Sequence, residues 1–253
     1  MAHDEIQWPA GFGMQDLVSY GSTGLVVLDS SSNTVIKKPL DPEYAPHIDV
    51  ERRIYQRLTQ KGGHRGILKF HGVFEDGIRL EYAAEFDLKS FADIERKLEL
   101  RSSWISQIAE ALQFIHRNGV IHGDLTSSNV FLDSNLDPKI ADFAGSSLDQ
   151  SPLLIESPAS YCYPGSALSV QGDIFAFGAL VYEIMTGKSP YQGMDGDEVR
   201  KLFSKITFPD TTQLGPLGHI VDKCWHGQYN CCDGLLVDLK EITVHSTCLP
   251  RTI

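Results

Sequence analysis

Basic residues are scarce in this chain: 22 lysines and arginines stand against 33 aspartates and glutamates, a formal net charge of −11. A surface of that sign repels phosphate backbones and anionic headgroups, so neither nucleic acid nor a membrane surface is an expected partner. Cysteine is sparse and odd in number. Cys162, Cys224, Cys231, Cys232 and Cys248 form no paired CxxC knuckles, which argues against a disulfide framework and a structural zinc and for a reducing compartment. No long apolar run is present either. Ile174 to Met185 covers 12 residues, short of the roughly 20 that cross a bilayer, and reads as a buried helix. The opening stretch from Met1 to Gly13 has acids and a proline where a secretion signal needs a basic start and an apolar run. An intracellular, cytoplasmic location is expected, with the nucleus left open. Internal repeats, low-complexity tracts and long charge blocks are also missing.

What is present is an ordinary globular composition, 42% hydrophobic and 22% charged over 253 residues. That length suits one large domain or two closely coupled lobes. The patterning changes near residue 85. Before it, Leu25–Leu28 and Thr34–Lys38 read as a hairpin around the polar turn Asp29–Asn33, and Asp49–Leu58 has helical spacing with Val50, Ile54, Tyr55 and Leu58 on one face. Ile67–Val73 and Ile78–Ala83 return to strand-like runs. From Leu98 the pattern is mainly helical, interrupted by two short strands, Asn129–Leu132 and Pro138–Ala141. The expectation is an α+β fold: a small β-rich lobe with one helix over about 17–84, a larger, mainly helical lobe over about 85–242, and a short tail at 243–253.

The chemistry concentrates in two stretches, Ile121-His-Gly-Asp-Leu-Thr-Ser-Ser-Asn129 and Lys139-Ile-Ala-Asp-Phe-Ala-Gly145. Phosphoryl transfer calls for a carboxylate at the incoming hydroxyl, plus an acid and an amide on the cations that bridge the phosphates. The pattern H-x-D-L-x-x-x-N followed by D-F-x resembles the catalytic and metal-binding loops of the protein kinase family. Asp124, Asn129 and Asp142 match its catalytic residues, and Asn129 and Asp142 its metal ligands. Upstream, Ser19-Tyr-Gly-Ser-Thr-Gly-Leu-Val26 is similar to the family's glycine-rich loop, with Gly21 and Gly24 retained. Lys37 stands where that family has its phosphate-binding lysine, and Glu51 where it has the lysine's partner. Alternation puts Val35 and Lys37 on one face of a strand and Lys38 on the other. Leu80-Glu81-Tyr82-Ala83 resembles the adenine-binding hinge, with Val26, Val35 and Phe131 forming an apolar slot. Asp173-Ile-Phe-Ala-Phe-Gly178 and Cys224-Trp225 resemble later landmarks, so the likeness runs from about residue 17 to 242. It implies a bilobal kinase fold, ATP and Mg²⁺ as cofactors, and a protein substrate.

The chain departs from that pattern at Ser19, Thr126, Ala144 and Gly165, and at Gly123, where many kinases carry the arginine that receives an activation-segment phosphate. The resemblance therefore implies an ATP-dependent protein kinase acting on Ser or Thr, with Tyr open, whose activity does not require that phosphate. Two alternatives stay open: a pseudokinase serving as a nucleotide-binding or scaffold module, and a small-molecule phosphotransferase of the aminoglycoside or choline kinase type. Oligomeric state is not legible.

Overall fold

A computed structural model describes residues 6–21, 23–83, 87–91 and 98–247. The small lobe is a five-stranded antiparallel sheet, β1 (Leu17–Tyr20), β2 (Gly24–Asp29), β3 (Thr34–Pro39), β4 (Phe70–Phe74) and β5 (Gly77–Glu81), in the order β1-β2-β3-β5-β4. Helix α1 (Ala45–Gln60) packs against it. The expected hairpin is there, closed by Asp29, whose carboxylate accepts from Ser31 N at 3.1 Å and pairs with Arg79 on β5 at 2.6 Å.

The structure departs from the sequence reading in several places; among these, β5 ends at Glu81, short of the expected Ala83. β1 was not anticipated, because Val18, Ser19 and Tyr20 are all exposed and carry no alternation. Helix α1 starts four residues earlier than Asp49, since a proline in the first turn lacks only an N–H that would have no helical partner anyway. The strand expected from Ile67 begins at Phe70 instead: Ile67 forms an isolated bridge to Ile140, and Ile140 N donates to Gly66 O at 2.8 Å, so this stretch clasps the two lobes together.

The sheet is covered on both faces, as its alternation requires. Leu25, Val27 and Ile36 are fully buried on the outer face under Trp8, Phe12, Leu40 and Phe74, so chain N-terminal to residue 17 contributes to the lobe. Val35 belongs to the core shared with α1. On α1 the residues Ile48, Val50, Glu51, Ile54, Tyr55 and Leu58 are buried; Glu51 is the one charged residue among them.

The larger lobe contains α2 (Leu88–Phe91), α3 (Leu98–Arg117), β6 (Val120–Ile121), β7 (Val130–Leu132), β8 (Pro138–Ile140), β9 (Ser147–Leu148), α4 (Val170–Thr186), α5 (Gly196–Ser204), α6 (Pro216–Trp225) and α7 (Cys232–Thr247). The run Ile174–Met185 falls within α4, which is buried through its middle, capped by Ser169 Oγ accepting from Gly172 N, and stopped by Gly187 at φ +74°. Gly178 is obligatory there: a Cβ would lie 2.7 Å from Cys224 Cβ on the crossing helix α6. Helix α7 continues to Thr247, beyond the expected start of a tail at 243. Residues 248–253, with Cys248, and the lobe boundary at residues 84–85 lie outside the described residues. Cys162, Cys224, Cys231 and Cys232 are free thiols, and no helix among the described residues is long and apolar enough to cross a membrane.

Candidate active site

The cleft between the lobes encloses about 390 Å³. Of the expected site residues, Gly21, Gly24, Val26, Val35, Lys37, Glu51, Glu81, Ala83, Asn129, Phe131 and Asp142 all border it. Asp124 lies just behind, its Oδ2 accepting from Asn129 Nδ2 at 2.9 Å.

Strand register aims the lysine. Lys37 pairs with Val26 on β2 and Ile78 on β5, which turns its side chain toward α1. Its Nζ lies 2.8 Å from Glu51 Oε2 and 2.6 Å from Asp142 Oδ1. Burial opposes the ammonium charge, but Asp142 and Glu51 outweigh it and hold Lys37 protonated. Burial, reinforced by Asp142, raises the Glu51 carboxyl against the pull of Lys37, whereas the Lys37 charge lowers Asp142. Glu51 also accepts Phe143 N through Oε1 at 3.1 Å, so a single carboxylate joins α1 to the strand lysine and to the loop carrying Asp142. The rings of Phe70, Tyr55, Phe143 and His122 run through both lobes behind this triad at centroid spacings of 6.0, 5.2 and 5.1 Å. Lys38 faces the other way and pairs with Glu75 and Asp76 at 3.4 and 3.1 Å.

The loop that carries Asp124 is held mostly by backbone bonds. Asp173, in the first turn of α4, accepts His122 N through Oδ2 and Gly123 N through Oδ1, both at 2.8 Å. His122 Nε2 donates to Ala141 O at 3.0 Å, which leaves Nδ1 to accept from Asp124 N at 3.3 Å. Burial raises the Asp124 carboxyl, and His122 together with hydrogen bonding from Asn129 and Ser157 offsets part of that shift. Asp124 Oδ1 is buried with no hydrogen-bond partner assigned among the described residues. Asn129 donates its amide to Asp124 O and Oδ2 at 2.8 and 2.9 Å. Asp142 sits at φ +59°, a left-handed conformation that aspartate tolerates better than most residues.

Sequence reasoning missed Val18, Leu68, Asp87 and Ala141, which also line the cleft. Leu68 and Ala141 sit in runs read simply as strand, and Val18 on a strand that gave no pattern. At Glu81 the side chain accepts Lys69 N at 3.0 Å and lies 3.7 Å from Lys139, and its N–H donates to Lys69 O at 2.8 Å, so neither its side chain nor its N–H is free to serve a ligand. Where the expected glutamate is Gly165, the end of the segment is held differently. The buried Tyr161 hydroxyl donates to Glu183, and burial together with that carboxylate keeps the phenol protonated.

A sequence model of the protein tyrosine and serine/threonine kinase family matches residues 29–231. The chain is 30% identical over 203 residues to NUAK family SNF1-like kinase 1 of Mus musculus, covering 75% of this chain and 30% of that protein. It is 31% identical over 256 residues to mitogen-activated protein kinase kinase kinase zak-1 of Caenorhabditis elegans, covering 88% and 33%. Against Aurora kinase of Patiria pectinifera the identity is 28% over 241 residues, covering 85% and 56%. The chain thus spans from about a third to little over half of these relatives' lengths. A family match that extends over both lobes and takes in Lys37, Glu51, Asp124, Asn129 and Asp142 leaves one assignment: the chain belongs to the protein tyrosine and serine/threonine kinase family.

Proposed function

We propose that this protein kinase, a single domain over 1–253, transfers the γ-phosphoryl group of ATP to serine and threonine hydroxyls of proteins. The observation that carries the reading is the Lys37–Glu51–Asp142 triad on the cleft, with the Asp124 carboxylate held just behind it by Asn129. Val26, Val35 and Phe131 receive the adenine between the lobes, the Glu81–Ala83 backbone meets its edge, and the turn between Gly21 and Gly24 covers the phosphates. Lys37, held by Glu51, neutralises the α- and β-phosphates. Asp142 bonds Lys37 through Oδ1, and its carboxylate together with the Asn129 oxygen offers hard oxygen ligands that suit Mg²⁺. Bound there, Mg²⁺ neutralises the charge that develops on the phosphoryl oxygens. Asp124 accepts the hydroxyl proton and aligns the nucleophile, and Asn129 fixes its carboxylate. The free thiols fit a reducing intracellular compartment, cytoplasmic in the simplest case.

Purified protein given ATP, Mg²⁺ and mixed protein acceptors is expected to label serine and threonine. Labelling of choline or an aminoglycoside in place of protein would reassign the substrate class, and nucleotide binding without transfer to any acceptor would favour an interaction module.

Phosphatase treatment, verified by intact mass, is expected to leave turnover unchanged. The stretch from Phe143 to Pro164 has no lysine or arginine, and position 123 has no side chain to receive a phosphate. Ser146 and Ser147 are buried, and Ser146 Oγ donates to His122 O at 2.7 Å. A Ser146→Ala change therefore removes a support of the catalytic loop, whereas Ser151→Ala is expected to be nearly silent. A fall of about tenfold on dephosphorylation, about 1.4 kcal/mol in barrier, would show that a receptor exists elsewhere.

A further inference from the structure

Two glycines beside the reacting groups are each closed by a side chain from one short stretch of the activation segment. Gly123 immediately precedes Asp124 and has φ +73°; a Cβ there would overlap Cδ2 of Leu153 and lie 3.1 Å from its Cδ1. Gly145 lies three residues beyond Asp142, and a Cβ there would fall 2.6 Å from Cβ of Ile155. Between these contacts Leu154 N donates to Gly145 O at 2.9 Å, and Ser157 Oγ donates to Gly123 O at 2.6 Å. Upstream, Asp149 is gripped by Arg57 of α1 through two bonds of 3.2 and 2.8 Å and donates its N–H to Gly119 O. Leu154, between the two inward residues, is 41% exposed.

We infer that Leu153 and Ile155 are positioning residues for phosphoryl transfer: apolar knobs seated on bare glycines that dock the activation segment onto the loops carrying Asp124 and Asp142. The inference rests on reading the cleft as the phosphotransfer site. Its physics is close packing. A leucine in contact with a glycine backbone denies that backbone room to move, and Gly123, which has no Cβ to restrict it, otherwise holds the widest choice of φ and ψ in the loop. Leu153 thereby restrains the peptide whose next residue is Asp124, and the Ser157 bond holds the carbonyl of that same glycine. Ile155 remains 38% exposed, so its seat is shallow and Leu153 carries the larger share. Neither knob contact involves a charge, so these two contacts are only weakly sensitive to salt, unlike the Arg57–Asp149 pair upstream.

The test compares Leu153→Ala, Leu153→Val, Leu153→Met and Leu154→Ala in the full chain, with steady-state kinetics and hydrogen exchange at the Leu154 amide. Leu153→Ala is expected to lower kcat by about tenfold or more with KM for ATP changed by less than about twofold. Leu153→Val is expected to fall between it and wild type, Leu153→Met to restore most of the rate, and Leu154→Ala to match wild type. Exchange at the Leu154 amide, bonded to Gly145 O, should quicken by about tenfold in Leu153→Ala as the segment lifts. An unchanged kcat, unchanged amide protection, or an equal rise in KM for ATP would overturn the docking. Should wild-type protein transfer no phosphate, the functional reading fails by itself, and the exchange measurement still decides whether the knobs hold the segment.

Discussion

Replacing Asp124 with asparagine is expected to leave Mg²⁺-dependent ATP binding intact and to lower kcat by roughly 10²- to 10⁴-fold, the usual contribution of a positioned proton acceptor. The asparagine keeps the shape of the side chain and its contact with Asn129 but removes the carboxylate charge proposed to accept the hydroxyl proton. Asp142→Asn is expected to fail at an earlier stage. Asp142 is bonded to Lys37 and supplies the oxygen proposed for the cation, so Mg²⁺-dependent nucleotide binding should be lost together with turnover. Equilibrium nucleotide binding with and without Mg²⁺, measured alongside kcat, separates the two. Near-wild-type phosphotransfer in both variants would reject the proposed enzyme. The environment of Asp124 adds a pH signature. Its folded-state pKa is raised, by burial first, and a proton acceptor works only when deprotonated, so the rate should fall with decreasing pH at a point above the ordinary aspartate value of 3.8. The residual rate of Asp124→Asn should lack that limb.

Lys37→Met is expected to reduce kcat/KM by about 10²-fold or more, while Lys38→Met leaves it nearly unchanged. Lys37 lies between two carboxylates, one of them fully buried, and removing the cation leaves Glu51 and Asp142 without the charge that holds both in place. Breaking a buried pair in this way typically costs about 3–5 kcal/mol. Glu51 then takes up a proton, and both the α1 contact and the Asp142 geometry relax. Lys38 by contrast meets Glu75 and Asp76, side chains 37% and 54% exposed, in ion pairs of the kind worth about 1 kcal/mol or less. The comparison reads strand register directly: sensitivity at Lys38 in place of Lys37 would mean that β3 is shifted by one residue.

The residues of the cleft were legible wherever chemistry demands particular side chains at particular spacings. Asp124, Asn129 and Asp142 stand out because their pattern resembles the kinase family's catalytic and metal-binding loops, and Lys37 because it stands at that family's lysine position, with alternation along β3 separating it from Lys38. The β2–β3 hairpin and α1 were legible because each has one apolar face, which imposes a period of two or of 3.6 residues. β1 showed no such period, being exposed along most of its length, and Trp8 and Phe12 gave no sign that they cover the outer face of the sheet. Tertiary structure alone decided the partners. Asp173 lies some fifty residues from the two amides it accepts, Leu68 and Ala141 reach the cleft only once the lobes close, and Gly123 and Leu153 meet only because the segment folds back. Such contacts have no local period or motif. They follow from how elements far apart in the chain pack at native density, and that is set by the shape of the folded core, which no short window of sequence contains.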